Sequence, residues 1–387
     1  IKAIVVGFLI LVLLIPSAFI QGLVQERQER QEQVIAEVSS KWALGQKISG
    51  PFLLVPYLTA EKNEKGVVTE VKRNAYFLPE KLLVNGTLFP EIRKRSIYKV
   101  VLYKTDLNLS GTFNPLNFSA LGINPSAVLW NEVRFCIGLT DNRGIAEQLQ
   151  LQLDDSAAAM DPDLPANGIA STGVTAIVPQ ALLNENKSCT FSIRLKLNGS
   201  ERLYFTPVGK QTQVELKSSY TNASFAGNYL PVTPSNSTNG FNAKWSISHF
   251  TRSFPQSWND EKTGIDEAAF GVELLQGVDS YAKTMRSVKY ALLFISLTFC
   301  LFFFIEVLQK RTVHALQYVL VGFALSIFYT LLLSVSEYLG FTLAYLIAAA
   351  ATVTLITAYI KSVFDKWSVA VVFAVFLSVL YGMIYVL

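Results

Sequence analysis

The stretch "FFFIEVLQKRTVHALQYV", residues 302–319, sets a carboxylate and an imidazole eight positions apart between two apolar runs. Glu306 ends one run, Lys310 and Arg311 follow, and His314 with Gln317 opens the next. A charge near hydrocarbon costs a few kcal/mol unless it is paired. If the two runs are antiparallel neighbours, Glu306 faces His314 or Gln317, and the group clamps a helical hairpin. The other reading is a site for lipid headgroups, protons or a partner. Lys310, four residues after Glu306, is a competing partner worth only tenths of a kcal/mol at an interface. The clamp is the leading reading. Further on, Tyr329 needs a hydrogen-bond partner inside its apolar run. Ser334, Ser336 and Glu337 close that run, and helix rise puts Glu337 roughly 30 Å from Glu306. The two acids cannot form one site, and no acid lies between them to relay an ion or proton.

Other chemistry is sparse. Two histidines, His249 and His314, rule out an H-E-x-x-H zinc site and leave any Ser-His-Asp triad dependent on His249. That residue follows strand alternation beside Trp245 and Phe250, which fits a satisfied strand or rim histidine better than a base. There is no G-x-S-x-G elbow, P-loop or G-x-G-x-x-G, and the apolar runs hold no pair of aspartates. No catalytic residue, metal site or cofactor is expected. Net charge is only +4 and spread along the chain, so nucleic acid is not an expected partner.

The elements that must position these residues belong to a membrane protein. The chain is 51% hydrophobic and 16% charged, against about a quarter charged in soluble chains. Five segments suffice to cross a hydrocarbon core, which takes roughly 20 residues each: residues 3–24, 287–308, 315–336, 341–360 and 368–387. A cleaved signal peptide is the alternative for the first. Basic residues in the short loops, Lys310, Arg311, Lys361 and Lys366, place those loops in the cytoplasm. The N-terminus then lies there too, and residues 25–286 lie outside. The chain begins at Ile1 and ends within an apolar run, so both ends are expected to be truncated and a sixth crossing to follow. Ala344, Ala348 and Thr352 make a small-residue packing face.

Residues 25–44 read as a helical extension of the first crossing. Residues 45–286 read as a β-rich domain of about nine strands, mostly antiparallel and sandwich-like, in one lobe or two. The clearest strand is "CTFSIRLKLNG", with Cys189, Phe191, Ile193, Leu195 and Leu197 on one face. Cys136 and Cys189 both lie on expected strands in an exported region, where a disulfide can form. Arg93, Lys94 and Arg95 form a basic cluster that is either a contact for a partner or a solvated strand start.

"GPFLLVPY", "YFLPE", "RKRSIYKVVLY", "DNRGI", "PVG" and "SFAGNYLPV" occur in that order, followed by "VKYALLFISLTF" and "VHALQYVLVGFALSIFYTLLLSVSEYLGFTLAYLIAAA". In content and order these resemble the CreD family of bacterial inner-membrane, cell-envelope integrity proteins, over nearly the whole chain. The resemblance implies an inner-membrane location, a large periplasmic domain and control by an envelope-stress two-component system, but no chemistry. One departure is Ala315, where the family usually has proline, which should soften a helix start. The expectation is a non-enzymatic stress-response protein whose β-domain binds an envelope component or a membrane-protein partner, with the bundle as lipid-embedded anchor. The alternative is lipid handling or transport through polar residues of the bundle. An enzyme acting through His249 is a third reading.

Overall fold

The structure, a computed structural model, describes residues 2–62, 68–165, 169–183, 187–259, 265–275 and 280–386. The chain forms two compact units. One gathers Ile1–Val34, Ser96–Tyr98 and Gly277–Leu387, and the other Ile35–Arg95 and Lys99–Gln276.

Among the described residues, the chain has five helices long and apolar enough to cross a membrane. Helix α1 (Lys2–Trp42) is continuous, so its apolar part and the polar extension are one element. The expected second crossing is instead two helices, α2 (Ser280–Lys289) and α3 (Ala291–Leu308), broken at Tyr290. Ser287 therefore lies in the short polar helix, and the apolar one begins at Ala291. Helices α4 (Ala315–Leu339), α5 (Phe341–Phe364) and α6 (Trp367–Val386) follow through tight turns. Left-handed residues Lys310 and Asp365 turn the chain between α3 and α4 and between α5 and α6. These two turns sit together: Lys366 donates to Gln309 at 2.7 Å and Arg311 to the Val363 carbonyl at 3.4 Å. Ala344, Ala348 and Thr352 are buried on one face of α5, as small residues permit where helices approach closely. Gly322 of α4 serves the same end, because a Cβ there would strike Leu13 of α1.

The second unit is a sandwich of two eight-stranded sheets, with strands numbered along the chain. In the first sheet β12 (Ala223–Gly227), β16 (Phe270–Leu274), β10 (Arg202–Phe205), β1 (Gln46–Lys62), β2 (Val68–Phe77) and β15 (Ser257–Asn259) are successive neighbours, while β5 (Arg134–Leu139) pairs with β1 and β8 (Thr172–Ile177). The second runs β13 (Thr233–Ser237), β14 (Gly240–Ser248), β11 (Gln211–Ser218), β3 (Lys81–Arg95), β4 (Tyr98–Phe113), β9 (Cys189–Ser200), β6 (Gln150–Leu153) and β7 (Ser156–Ala159). Sixteen strands among the described residues exceed the nine read from alternation, because short strands of three to five residues such as β7, β12, β13 and β15 carry too few residues to show a period. The sheets are mixed: β1 runs parallel to β10 and β3 parallel to β11. Long crossovers allow such pairs, and no local pattern announces them.

The two inner faces meet through aromatic rings. Phe135 of the first sheet packs edge-on against Phe113 and Phe191 of the second, at 6.1 and 5.5 Å. Trp245 of β14 packs on Phe225 and Phe270 at 5.7 and 5.6 Å. One hydrophobic cluster includes residues of both sheets, so this is one lobe. The alternation read in β9 is seen directly: its odd positions from Cys189 to Leu197 are buried.

Candidate functional site

The polar groups of the bundle fall into three places. The first is the α3–α4 turn. Glu306 lies in the last turn of α3 and is only 4% exposed. Its carboxylate accepts the Val313 N–H at 3.0 Å and the Tyr318 hydroxyl at 2.7 Å. Tyr318 is fixed in turn, its ring edge-on to Phe302 at 4.5 Å and Phe299 at 5.5 Å. The end of α3 is an unfavourable place for a negative charge, but the same carboxylate sits at the start of α4, where exposed N–H groups and the helix dipole favour it.

His314 and Gln317 are therefore not partners of Glu306. His314 takes the N-cap position of α4 in extended conformation, and its Nδ1 accepts the Leu316 N–H at 3.2 Å. Gln317 Oε1 accepts the His314 N–H at 3.0 Å. The two residues cap their own helix reciprocally, which folds both side chains back onto α4. Lys310 is exposed, in the left-handed turn position. Helix α4 still starts at Ala315, so the cap does the work that proline at that position would assist.

The second place is mid-helix. Tyr329 is buried, and its hydroxyl has no hydrogen-bond partner among the described residues. The third is the other end of α4, where Glu337 accepts the Tyr281 hydroxyl of α2 at 3.1 Å and lies 4.0 Å from Arg27 of α1. Burial, then the Glu337 charge, pushes the Tyr281 hydroxyl well above the usual tyrosine range, so it stays a donor. Glu306, Tyr329 and Glu337 thus occupy separate levels. The partners that sequence reading missed are Tyr318, Tyr281 and Arg27. Tyr318 was findable, since a hairpin turning at Lys310 sets the first turn of α4 opposite Glu306.

In the sandwich, the basic cluster closes the β3–β4 hairpin rather than starting a strand. Arg93 bonds Glu91 at 2.8 Å and stacks over Trp42 at 4.4 Å, and Arg95 bonds Glu37 at 3.0 Å. Lys94 is exposed. Cys136 and Cys189 are both free buried thiols, so the expected disulfide is not formed. Phe135 points into the space between the sheets, so alternation turns Cys136 to the far face, whereas Cys189 shares the inner face with Phe191. Cys300 is exposed on α3.

Asp141 of "DNRGI" holds the chain where α1 gives way to β1. It accepts the Leu44 N–H at 3.2 Å, the Arg143 N–H at 3.0 Å and the Arg143 guanidinium at 2.9 Å. His249 lies at the end of β14, its ring 4.0 Å from Phe250. Among the described residues no three His, Cys, Asp or Glu side chains are grouped to hold a metal.

Comparison with known proteins settles the family. The whole chain, residues 1–387, matches the family described as Inner membrane protein CreD. The chain belongs to that family. It is 31% identical over 384 residues to the Inner membrane protein CreD of Escherichia coli (strain K12), covering 97% of this chain and 84% of that protein. Among solved structures, an M1 zinc metallopeptidase mutant from Deinococcus radiodurans matches 44% of this chain and 39% of its own, at 12% identity and a TM-score of 0.21. A likeness that low carries no argument.

Proposed function

We propose that this CreD-family protein is a non-enzymatic cell-envelope integrity protein of the stress response, whose sandwich faces the periplasm and binds a protein partner while the bundle anchors it. The observation that carries this reading is an exposed apolar patch on the sandwich. Leu230 and Val232 are 73% and 68% exposed, and Phe250 is 87% exposed. The two loops bearing them are joined by the Tyr229 hydroxyl, which donates to the Thr251 carbonyl at 2.8 Å. Side chains this apolar and this exposed contribute nothing to the fold, and grouped apolar exposure marks contact surfaces. The bundle's acids support an anchoring role, because Glu306 and Glu337 are both engaged in holding helices together. The shared position of the Lys310, Arg311 and Lys366 turns at one end supports placing that end in the cytoplasm.

The test is mass spectrometry of what co-purifies with the full chain in lipid nanodiscs, compared with the Leu230→Asp, Phe250→Asp double variant. A stoichiometric protein that the variant loses supports the reading. No protein, and one enriched lipid retained by the variant, overturns it.

That second result would favour lipid handling, for which one observation speaks. A groove of about 350 Å³ runs between α1 and α4, lined by Ile15, Phe19, Phe323, Ser326, Ile327 and Thr330. It is apolar and opens outward from the bundle, as a seat for an acyl chain would be.

A further inference from the structure

Four cations gather at one end of the bundle, around the α3–α4 and α5–α6 turns: Lys310, Arg311, Lys361 and Lys366. Two hydrogen bonds hold these turns together, from Lys366 to Gln309 at 2.7 Å and from Arg311 to the Val363 carbonyl at 3.4 Å. Lys361, one turn before the end of α5, lies over the ring of Trp367, the first residue of α6, at 5.8 Å. Among the described residues none of the four forms an ion pair. Glu306 is buried and already engaged by Val313 and Tyr318, and Asp365 is the other acid of these turns. In the sandwich the balance differs. Arg134, Arg143 and Lys196 lie 3.1, 2.9 and 2.7 Å from Asp163, Asp141 and Glu147.

The last carbonyls of α3 and α5 favour cations nearby, which accounts for the one N–H that Arg311 gives to Val363. A guanidinium has five N–H groups and an ammonium three. Most of these charged donors bond nothing in the protein among the described residues. Converging charged donors with little acid between them suit a phosphate. Their place selects the source of that phosphate. The turns join helices long and apolar enough to cross a membrane, and Leu308, Leu316 and Trp367 beside them are exposed. Acyl chains cover such side chains while phosphates lie at the helix ends, the boundary where tryptophan is favoured. An acidic protein segment would meet the charge but leave the apolar side chains uncovered. A zwitterionic phospholipid brings its own ammonium, which the four cations repel. A lipid of net negative charge satisfies both, as in other basic pockets between membrane helices.

We propose that Lys310, Arg311, Lys361 and Lys366 form a binding site for the phosphate of an anionic phospholipid, seated where the α3–α4 and α5–α6 turns meet. The site is separate from the apolar groove between α1 and α4, whose lining carries no cation. It does not depend on whether the sandwich has a protein partner.

The test is native mass spectrometry of the full chain released from micelles holding phosphatidylglycerol and phosphatidylethanolamine in equal amounts. The parent should retain phosphatidylglycerol in preference, by on the order of tenfold. Each basic residue at an anionic headgroup is worth roughly fivefold in affinity, so the Arg311→Gln, Lys366→Gln variant should bind phosphatidylglycerol on the order of 20-fold more weakly. The Lys310→Gln, Lys361→Gln variant should lose the preference likewise. It removes no side-chain hydrogen bond among the described residues, so it decides the matter if the first pair folds poorly. Lys99→Gln with Lys244→Gln takes the same charge from the sandwich and should leave retention unchanged, and excess inorganic phosphate should not displace the lipid. Equal retention of the two lipids by the parent overturns the proposal, as does a preference kept by both folded cluster variants. Equal loss in the sandwich variant would reduce the effect to net charge, and displacement by inorganic phosphate would make a free anion the ligand; either result also overturns it.

Discussion

Tyr318 donates its hydroxyl to Glu306 at 2.7 Å across the α3–α4 turn, and the same carboxylate takes the Val313 N–H at 3.0 Å. One side chain thus ties the end of one helix to the start of the next. Removing it leaves two buried donors without this acceptor, at about 1–3 kcal/mol each. Glu306→Ala is expected to lower bundle stability by about 2–4 kcal/mol, and Tyr318→Phe by about 1–2 kcal/mol. Unfolding in detergent of both single variants and the double variant measures their coupling. Strictly additive losses would show that the two residues act separately and would sink the clamp.

The Tyr281–Glu337 bond makes a parallel prediction for the short helix α2. Tyr281→Phe removes the donor at 3.1 Å and leaves the ring in place. Losing about 1 kcal/mol should raise amide exchange of residues 280–289 roughly fivefold, with the first turns of α4 unchanged. Equal exchange in α2 before and after would mean that packing alone holds it.

What could be read in advance followed from how local each cause is. Apolar length placed α4, α5 and α6 within a few residues, and period two placed β9, because both signals live within one element. The parallel β1–β10 and β3–β11 pairs depend on which distant strands meet, which no local period encodes. Glu306 was marked by its type in an apolar run, but its partner was misassigned. His314 and Gln317 are polar and near in sequence, yet an N-cap satisfies its own helix first. The true partner, Tyr318, hid among apolar neighbours. The Glu337 partners, Arg27 of α1 and Tyr281 of α2, lie 310 and 56 residues away in the chain.

The thiols test the sandwich's register. Burial pushes the Cys189 thiol up to about 11 and the Cys136 thiol higher still, so neither holds much reactive thiolate at neutral pH. A maleimide at pH 7.5 is expected to modify Cys136 and Cys189 only after denaturant is added. Migration on a gel should be the same with and without reductant. A shift abolished by Cys136→Ala or by Cys189→Ala would show that the two are joined, and that the alternation turning Cys136 of the first sheet away from the inner face that Cys189 of the second sheet shares is wrong.

Asp141 gives the pH prediction. Burial would raise its carboxyl, but the Arg143 side chain and the Leu44 and Arg143 N–H groups outweigh this and hold it below the usual aspartate range. A carboxyl lowered in the folded state binds its proton more readily when unfolded. Its contribution is therefore complete above the ordinary aspartate value of about 3.9 and is lost as pH falls through the folded value. Asp141→Asn should cost about 1–3 kcal/mol at pH 7, and the gap between variant and parent should narrow as pH drops below about 4. Thermal unfolding of the full chain at pH 7 and at acid pH measures both. A gap that stays constant on acidification would mean that Asp141 serves by shape alone, and that the charge-assisted link from Leu44 to Arg143 adds nothing to the join between α1 and β1.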